Sequence, residues 1–301
     1  MTRYMTMKSL RLLPLLAVLL AASITGCEDA PPNDYQPRYV VQAYMIVDQP
    51  IQGIVVSKSQ SVTDTFRIAS GVVPDANVKI IADGRTLQLV YRADESGPGE
   101  YYYPDTTELV KPNMLYKLEI TVPGGGTITA QTLTPGRFAW VHPPVDTVSI
   151  PAKSSPAYLN PPDSLDLTWD NRSGNQEFLI RVGAEDTLEY GRYLANPTSQ
   201  KNQRINPDLD KQDERHYTDV TRWGFVASTT TPIVWAAFKW YGRQDVSVYA
   251  ADRAFINWFK MTYWTGNPQY DPLLANVQGD GIGVFGSASV IHRSVFVLMN
   301  Q

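Results

Sequence analysis

The chain has 301 residues, with 26 Lys and Arg against 30 Asp and Glu, and one cysteine. A formal charge of −4 without a basic run argues against nucleic-acid binding, and a lone cysteine excludes an internal disulfide. Hydrophobic residues make up 43% and aromatic residues 11%, enough to build folded β cores without cross-links.

Lys8 and Arg11 precede an apolar run from Leu12 to Ala22 that contains Pro14. A basic flank, a short apolar run and small residues describe a secretory signal. The run falls short of the ~20 apolar residues that span a bilayer. It ends in Ile24-Thr25-Gly26-Cys27, which resembles the bacterial lipobox, whose cysteine is acylated and becomes the mature N-terminus. Residues 1–26 are therefore expected to be a lipoprotein signal peptide and Cys27 the lipidation site. The competing use of Cys27 is a buried thiol behind an ordinary signal peptide. Acyl chains contribute ~0.8 kcal/mol per buried methylene and would hold the chain on a membrane without a spanning helix. Losing Arg3, Lys8 and Arg11 with the leader would take the formal charge from −4 to about −7.

Residues 27–37 read as a tether, since Glu28, Asp29, Asp34 and its prolines disfavour packing. Acids directly after the cysteine resemble the surface-export signal of Bacteroidota lipoproteins. A solvated linker on a periplasm-facing lipoprotein is the other reading.

From Arg38 the period of the pattern becomes two. Tyr39 to Val47 and Gly53 to Ser59 read as strands. Asn77 to Ala82 and Thr86 to Tyr91 flank Asp83-Gly84-Arg85, a hairpin signal because Asp and Gly tolerate positive φ. Glu100 to Tyr103, Leu115 to Val122 and Thr127 to Thr132 complete the set, with Gly124-Gly125-Gly126 turning the last pair. Short strands at regular spacing predict an immunoglobulin-like sandwich over 38–135.

Residues 137–163 are proline-rich and predict edge strand or linker. Ser164 to Trp169 and Glu177 to Val182 are expected to pair across a turn at Asn171 to Asn175, an opening that resembles a fibronectin type III domain with an inward Trp. Residues 191–222 are polar and predict a long loop or insertion. Ile233 to Tyr241 reads as a central strand, and Asp245 to Tyr249 as another. Phe255, Trp258, Phe259 and Thr262 then sit at helical spacing, with Asp252 as N-cap and Gly266 as stop. Asn276 to Ser289 and Arg293 to Met299 read as the last two strands. The fold class expected is mainly β: two immunoglobulin/fibronectin-III-like sandwiches in tandem, 38–135 and 136–301, the second with a short helix and the polar insertion.

Candidate chemistry is sparse. Gly281-x-Gly283-x-x-Gly286 matches the letters of a dinucleotide fingerprint, but no helix follows it, so close backbone approach is the better reading of its glycines. His142, His216 and His292 lack metal-ligand spacing. Asp208, Asp210 and Asp213 are the densest acids and weak candidates for a calcium site, without the glycine and terminal glutamate of a calcium hand. Asp252, Asp271 and Asp280 are acids that nothing marks as the pair a glycoside hydrolase needs. Trp223, Trp240, Trp258 and Trp264 serve either as a sugar or peptide platform or as core. Asp105-Thr106-Thr107, Asp146-Thr147-Val148, Asp163-Ser164-Leu165 and Asp186-Thr187-Leu188 resemble the short O-glycosylation motif of Bacteroidota.

The mature chain resembles a family of Bacteroidota lipoproteins classed as a domain of unknown function, four-two-four-nine. The resemblance rests on the lipobox, Tyr39-Val40-Val41-Gln42-Ala43-Tyr44, Ala76-Asn77-Val78-Lys79-Ile80 with Asp83-Gly84, Tyr116-Lys117-Leu118-Glu119-Ile120, and the closing Asn276 to Gly286. Gly279-Asp280-Gly281 stands where the family usually has Gly-Gly. The resemblance implies no catalytic residues and no cofactor. It implies an outer-membrane location and a TonB-dependent receptor as partner in nutrient uptake. The expected role is a non-enzymatic binding or accessory lipoprotein. The alternatives are a surface structural or adhesive module and, behind it, a glycan-active hydrolase with residues 191–222 folded over a carboxylate pair.

Overall fold

In a computed structural model, residues 35–61, 65, 71–94, 97–207, 220–264, 271 and 273–299 are described. The alternation that starts at Tyr39 produces β1 (Tyr39–Ile46), whose Val41, Ala43 and Met45 are buried. β2 (Val55–Lys58) runs back beside it. β3 (Asn77–Ala82) and β4 (Arg85–Gln88) form the hairpin expected at Asp83-Gly84, both with positive φ. β4 stops at Gln88, and β5 (Val90–Arg92) pairs separately with β6 (Glu100–Tyr102). β7 (Leu115–Thr121) and β8 (Thr127–Leu133) complete this half. The Tyr116 hydroxyl accepts the Lys111 amide proton at 2.8 Å, the tyrosine-corner arrangement of β-sandwiches.

The proline-rich stretch becomes short edges: β9 (Trp140–His142), β10 (Thr147–Ser149) and the one-turn helix α1 (Pro156–Leu159). β11 (Leu167–Trp169) pairs with β9 and with β14 (Thr230–Thr231). β12 (Phe178–Ala184), β13 (Val220–Val226) and β15 (Gly242–Ala251) are neighbours in another sheet. Helix α2 (Arg253–Phe259) follows, and β16 (Gln278–Gly279) and β17 (Gly281–Leu298) close the chain.

The main sheet runs β13-β12-β15-β17-β1-β2, with β10 also on β17. A five-stranded sheet runs β16-β8-β7-β3-β4. Two cores lie against one face of the main sheet. The first gathers Val41, Met45, Ile80, Leu118, Ile120 and Phe285. The second gathers Trp169, Phe178, Ile180, Phe238, Val248 and Val295. On the other face Leu179, Ala251 and Ala288 hold Phe255 and Ile256 of α2. The helix packs on the sheet, as its spacing predicts.

The chain is mainly β, as expected, but a tandem of immunoglobulin-like domains is not confirmed. β17 pairs in parallel with β1 from Gly281 to Ala288, then antiparallel with β15 from Ala288 to Val297. One strand of 18 residues thus supplies both cores, and strands from either side of residue 135 share a sheet.

Four local expectations are corrected. Asn276 to Ser289 and Arg293 to Met299 do not make two strands, because β17 continues through Val290-Ile291-His292. Ile233 to Tyr241 is not a strand: it contains a 3-10 turn at Trp235–Ala237, and its apolar run fills the second core from a loop. β11 and β12 do not pair across the Asn171 turn; they belong to different sheets, with Trp169 and Phe178 meeting edge to face at 5.3 Å between them. The insertion ends before 222, because Val220–Val226 is an edge strand. Its described part, 191–207, is held down by Asp186, which accepts from the Leu188 and Glu189 amides and the Tyr193 hydroxyl.

Gly283 shows why the Gly-x-Gly-x-x-Gly letters are structural. Its φ is +127°, and a Cβ there would run into the Val41 carbonyl. Glycine is what lets β1 and β17 approach.

Candidate functional site

α2 begins where β15 ends, because Asp252 is extended and its carboxylate accepts from the Phe255 amide at 2.8 Å. The same carboxylate is hydrogen-bonded by the Thr132 hydroxyl from β8. Thr132 Oγ1 lies 2.7 Å from Ser287 Oγ of β17, and Ser287 Oγ reaches the Leu133 carbonyl at 3.2 Å. Burial raises the Asp252 pKa above 3.8 even though these donors act to lower it. This network ties the five-stranded sheet, the main sheet and α2 together at one point. It caps and joins; it does not present a carboxylate free to react.

Beside it runs a groove across the outer face of β8. One part, about 360 Å³, is lined by Leu115, Leu133, Ala254, Asn257 and Leu274, with Asp252 and Arg253. The next, about 250 Å³, is lined by Lys117, Glu119, Thr129 and Gln278. Gln131 and Asn276 line both, so the two adjoin at these residues. Asn276 builds the wall: its side-chain amide donates to the Gln131 and Phe285 carbonyls and accepts from the Phe285 amide. Leu133 is 61% exposed, Leu115 and Leu274 44% each, and Leu273 beside them 91%. The groove therefore has an aliphatic end and a polar end.

Most residues singled out from the sequence lie elsewhere. Cys27, Asp208, Asp210, Asp213 and His216 fall outside the described residues. His142 and His292 are exposed, and His292 Nδ1 lies 3.1 Å from Asp245. Among the described residues no three of His, Cys, Asp and Glu come together as a metal set. Asp252, Asp271 and Asp280 are separate: Asp271 accepts the Leu273 amide, and Asp280 accepts the Thr127 amide at the far end of β8. Trp258 is buried, and Trp240 lies under the Arg204 guanidinium at 4.5 Å. The side chains of Trp223 and Trp264 lie outside what is described. Thr106, Thr147 and Ser164 are exposed and Thr187 half-buried. Among the described residues no helix is long and apolar enough to cross a membrane.

The groove itself was missed by motif reading. Its signal was a break in the alternation: Leu115 and Leu133 occupy outward positions of β7 and β8, while polar Thr132 points inward.

A family model described as Domain of unknown function (DUF4249) matches residues 28–294. The chain belongs to that family. The DUF4249 span takes in the first core, the second core as far as but not including Val295, α2 and the groove. Curated proteins returned no match to the chain.

Proposed function

We propose that the chain is an outer-membrane lipoprotein that acts as a non-enzymatic binding or accessory component of TonB-dependent nutrient uptake. The observation that carries this reading is the leader. Lys8 and Arg11, the apolar run from Leu12 and the Ile24-Thr25-Gly26-Cys27 ending are what export followed by acylation requires. An acidic, proline-containing stretch follows, and β1 begins only at Tyr39. The accessory role rests on the resemblance to lipoproteins encoded beside TonB-dependent receptors.

Two measurements separate the parts of this reading. Cys27→Ser should shift the chain from the membrane to the soluble fraction, and unchanged partition removes the anchor. The tagged native chain, purified in mild detergent, should bring a TonB-dependent receptor with it. A clean pull-down removes the accessory role and leaves the anchor standing.

A further inference from the structure

We propose that the groove between the outer face of β8 and α2 is a docking site for an extended protein segment carrying an apolar side chain flanked by acidic residues. The inference stands apart from the anchoring reading, since every group it uses lies in the folded part of the chain.

The apolar end fits a side chain. Leu115, Leu133 and Leu274 converge on a space of about 360 Å³, within the size range of small binding pockets. No lining side chain in either part of the groove is aromatic, so the ring stacking that holds sugars has no platform. Near the leucines the Asp271 carboxylate is taken up by the Leu273 amide, and the charges not so engaged are basic. Lys117 lies two residues along β7 from Leu115, and Arg253 lines the same end; neither forms an ion pair with a described residue. Asp252 is turned inward to Thr132 and the Phe255 amide. The one other lining carboxylate, Glu119, lies four residues from Leu115, roughly 13 Å along the strand. Acidic residues beside the apolar anchor match that pattern.

The segment lies across β8 and does not add a strand to it. The Gln131 and Leu133 carbonyls, which a new strand would use, already accept from Asn276 and Ser287. From Thr129 to Leu133 the groove is about 14 Å long, room for about five extended residues.

The test uses the chain with Cys27→Ser, secreted from its full precursor, and three fluorescein-labelled peptides read by anisotropy: Glu-Glu-Leu-Phe-Glu, Lys-Lys-Leu-Phe-Lys and Glu-Glu-Ser-Ser-Glu. The first should bind at least about tenfold tighter than either control. Leu133→Gln, Leu274→Ser and Lys117→Glu should each weaken it about fivefold or more with unchanged thermal melting, and Lys117→Glu should narrow the preference over the lysine peptide. Equal binding of the three peptides overturns the proposal, as does full affinity in the doubly substituted Leu133→Gln, Lys117→Glu chain. So does a dimer in sedimentation that Leu133→Gln dissociates, which would give the groove to a second copy. Binding to phosphatidylglycerol vesicles that Leu133→Gln abolishes would give the groove to lipid and overturn the proposal as well.

Discussion

Thr132 in β8 donates its hydroxyl proton to the carboxylate of Asp252, the residue that caps α2. The bond joins the two large sheets through a helix cap, and the carboxylate it reaches is largely withdrawn from water. Burial is the leading cause that raises the Asp252 pKa above 3.8. The native chain therefore keeps the Asp252 carboxyl protonated over a pH window in which the unfolded chain has released that proton. The contribution of this group is fully present below 3.8 and is lost as pH rises through the higher native value. Asp252→Asn keeps a good cap and removes the titration. In urea unfolding, its stability relative to the native chain should rise with pH between about 3 and 7. A flat difference across that range would contradict the burial argument. Asp252→Ala loses the cap and should cost about 1–2 kcal/mol.

Gly283 gives a sharper test of how β1 and β17 meet. A methyl group there collides with the Val41 backbone and the φ of +127° is foreign to alanine. Gly283→Ala should destabilise by about 3 kcal/mol or more. Gly84→Ala is the matched control. Its φ is +69°, but a Cβ there has nothing within 4 Å, so the cost should stay near 1 kcal/mol. Equal midpoints for the two variants in denaturant would show that the close approach is not needed.

Tyr116 is buried and its hydroxyl is committed to the Lys111 amide. Tyr116→Phe leaves the ring in place and strands that amide. A loss of about 1–2 kcal/mol is expected in thermal unfolding. The loss should be smaller if water reaches the amide.

Asp186 is the staple of the insertion. Bonds from the Glu189 amide, the Tyr193 hydroxyl and the Leu188 amide hold its pKa below 3.8. The order it gives to residues 191–207 is present above the unfolded value and lost as pH falls through the native one. Asp186→Ala should speed hydrogen exchange at Leu188 and Glu189 at neutral pH and leave the amides of β15 unchanged.

The β1, β3, β7 and β8 strands, the Asp83-Gly84 hairpin and the Asp252 cap were legible in the sequence. Each depends on neighbours within a few residues, where period and turn chemistry act. The pairing of β1 with β17 was not legible, because nothing local in Tyr39 to Ile46 names a partner at Gly281. Ile233 to Tyr241 misled for a related reason. Its apolar and aromatic composition is that of a strand, yet Trp235 and Phe238 fill the core from a turn that leaves Ala236 exposed. The two leucines at outward positions were readable only once β7 and β8 were known to lie side by side.

The pairing of the first strand with the last also sets an order of events. A chain emerging from its N-terminus cannot complete the central sheet until Gly281 to Ala288 has been delivered. Until then Tyr39 to Ile46 has only β2 as a hydrogen-bonded neighbour, and such distant closure makes assembly slow. A polypeptide that stays open until its final segment arrives acquires its resistance to proteases only once that segment has docked.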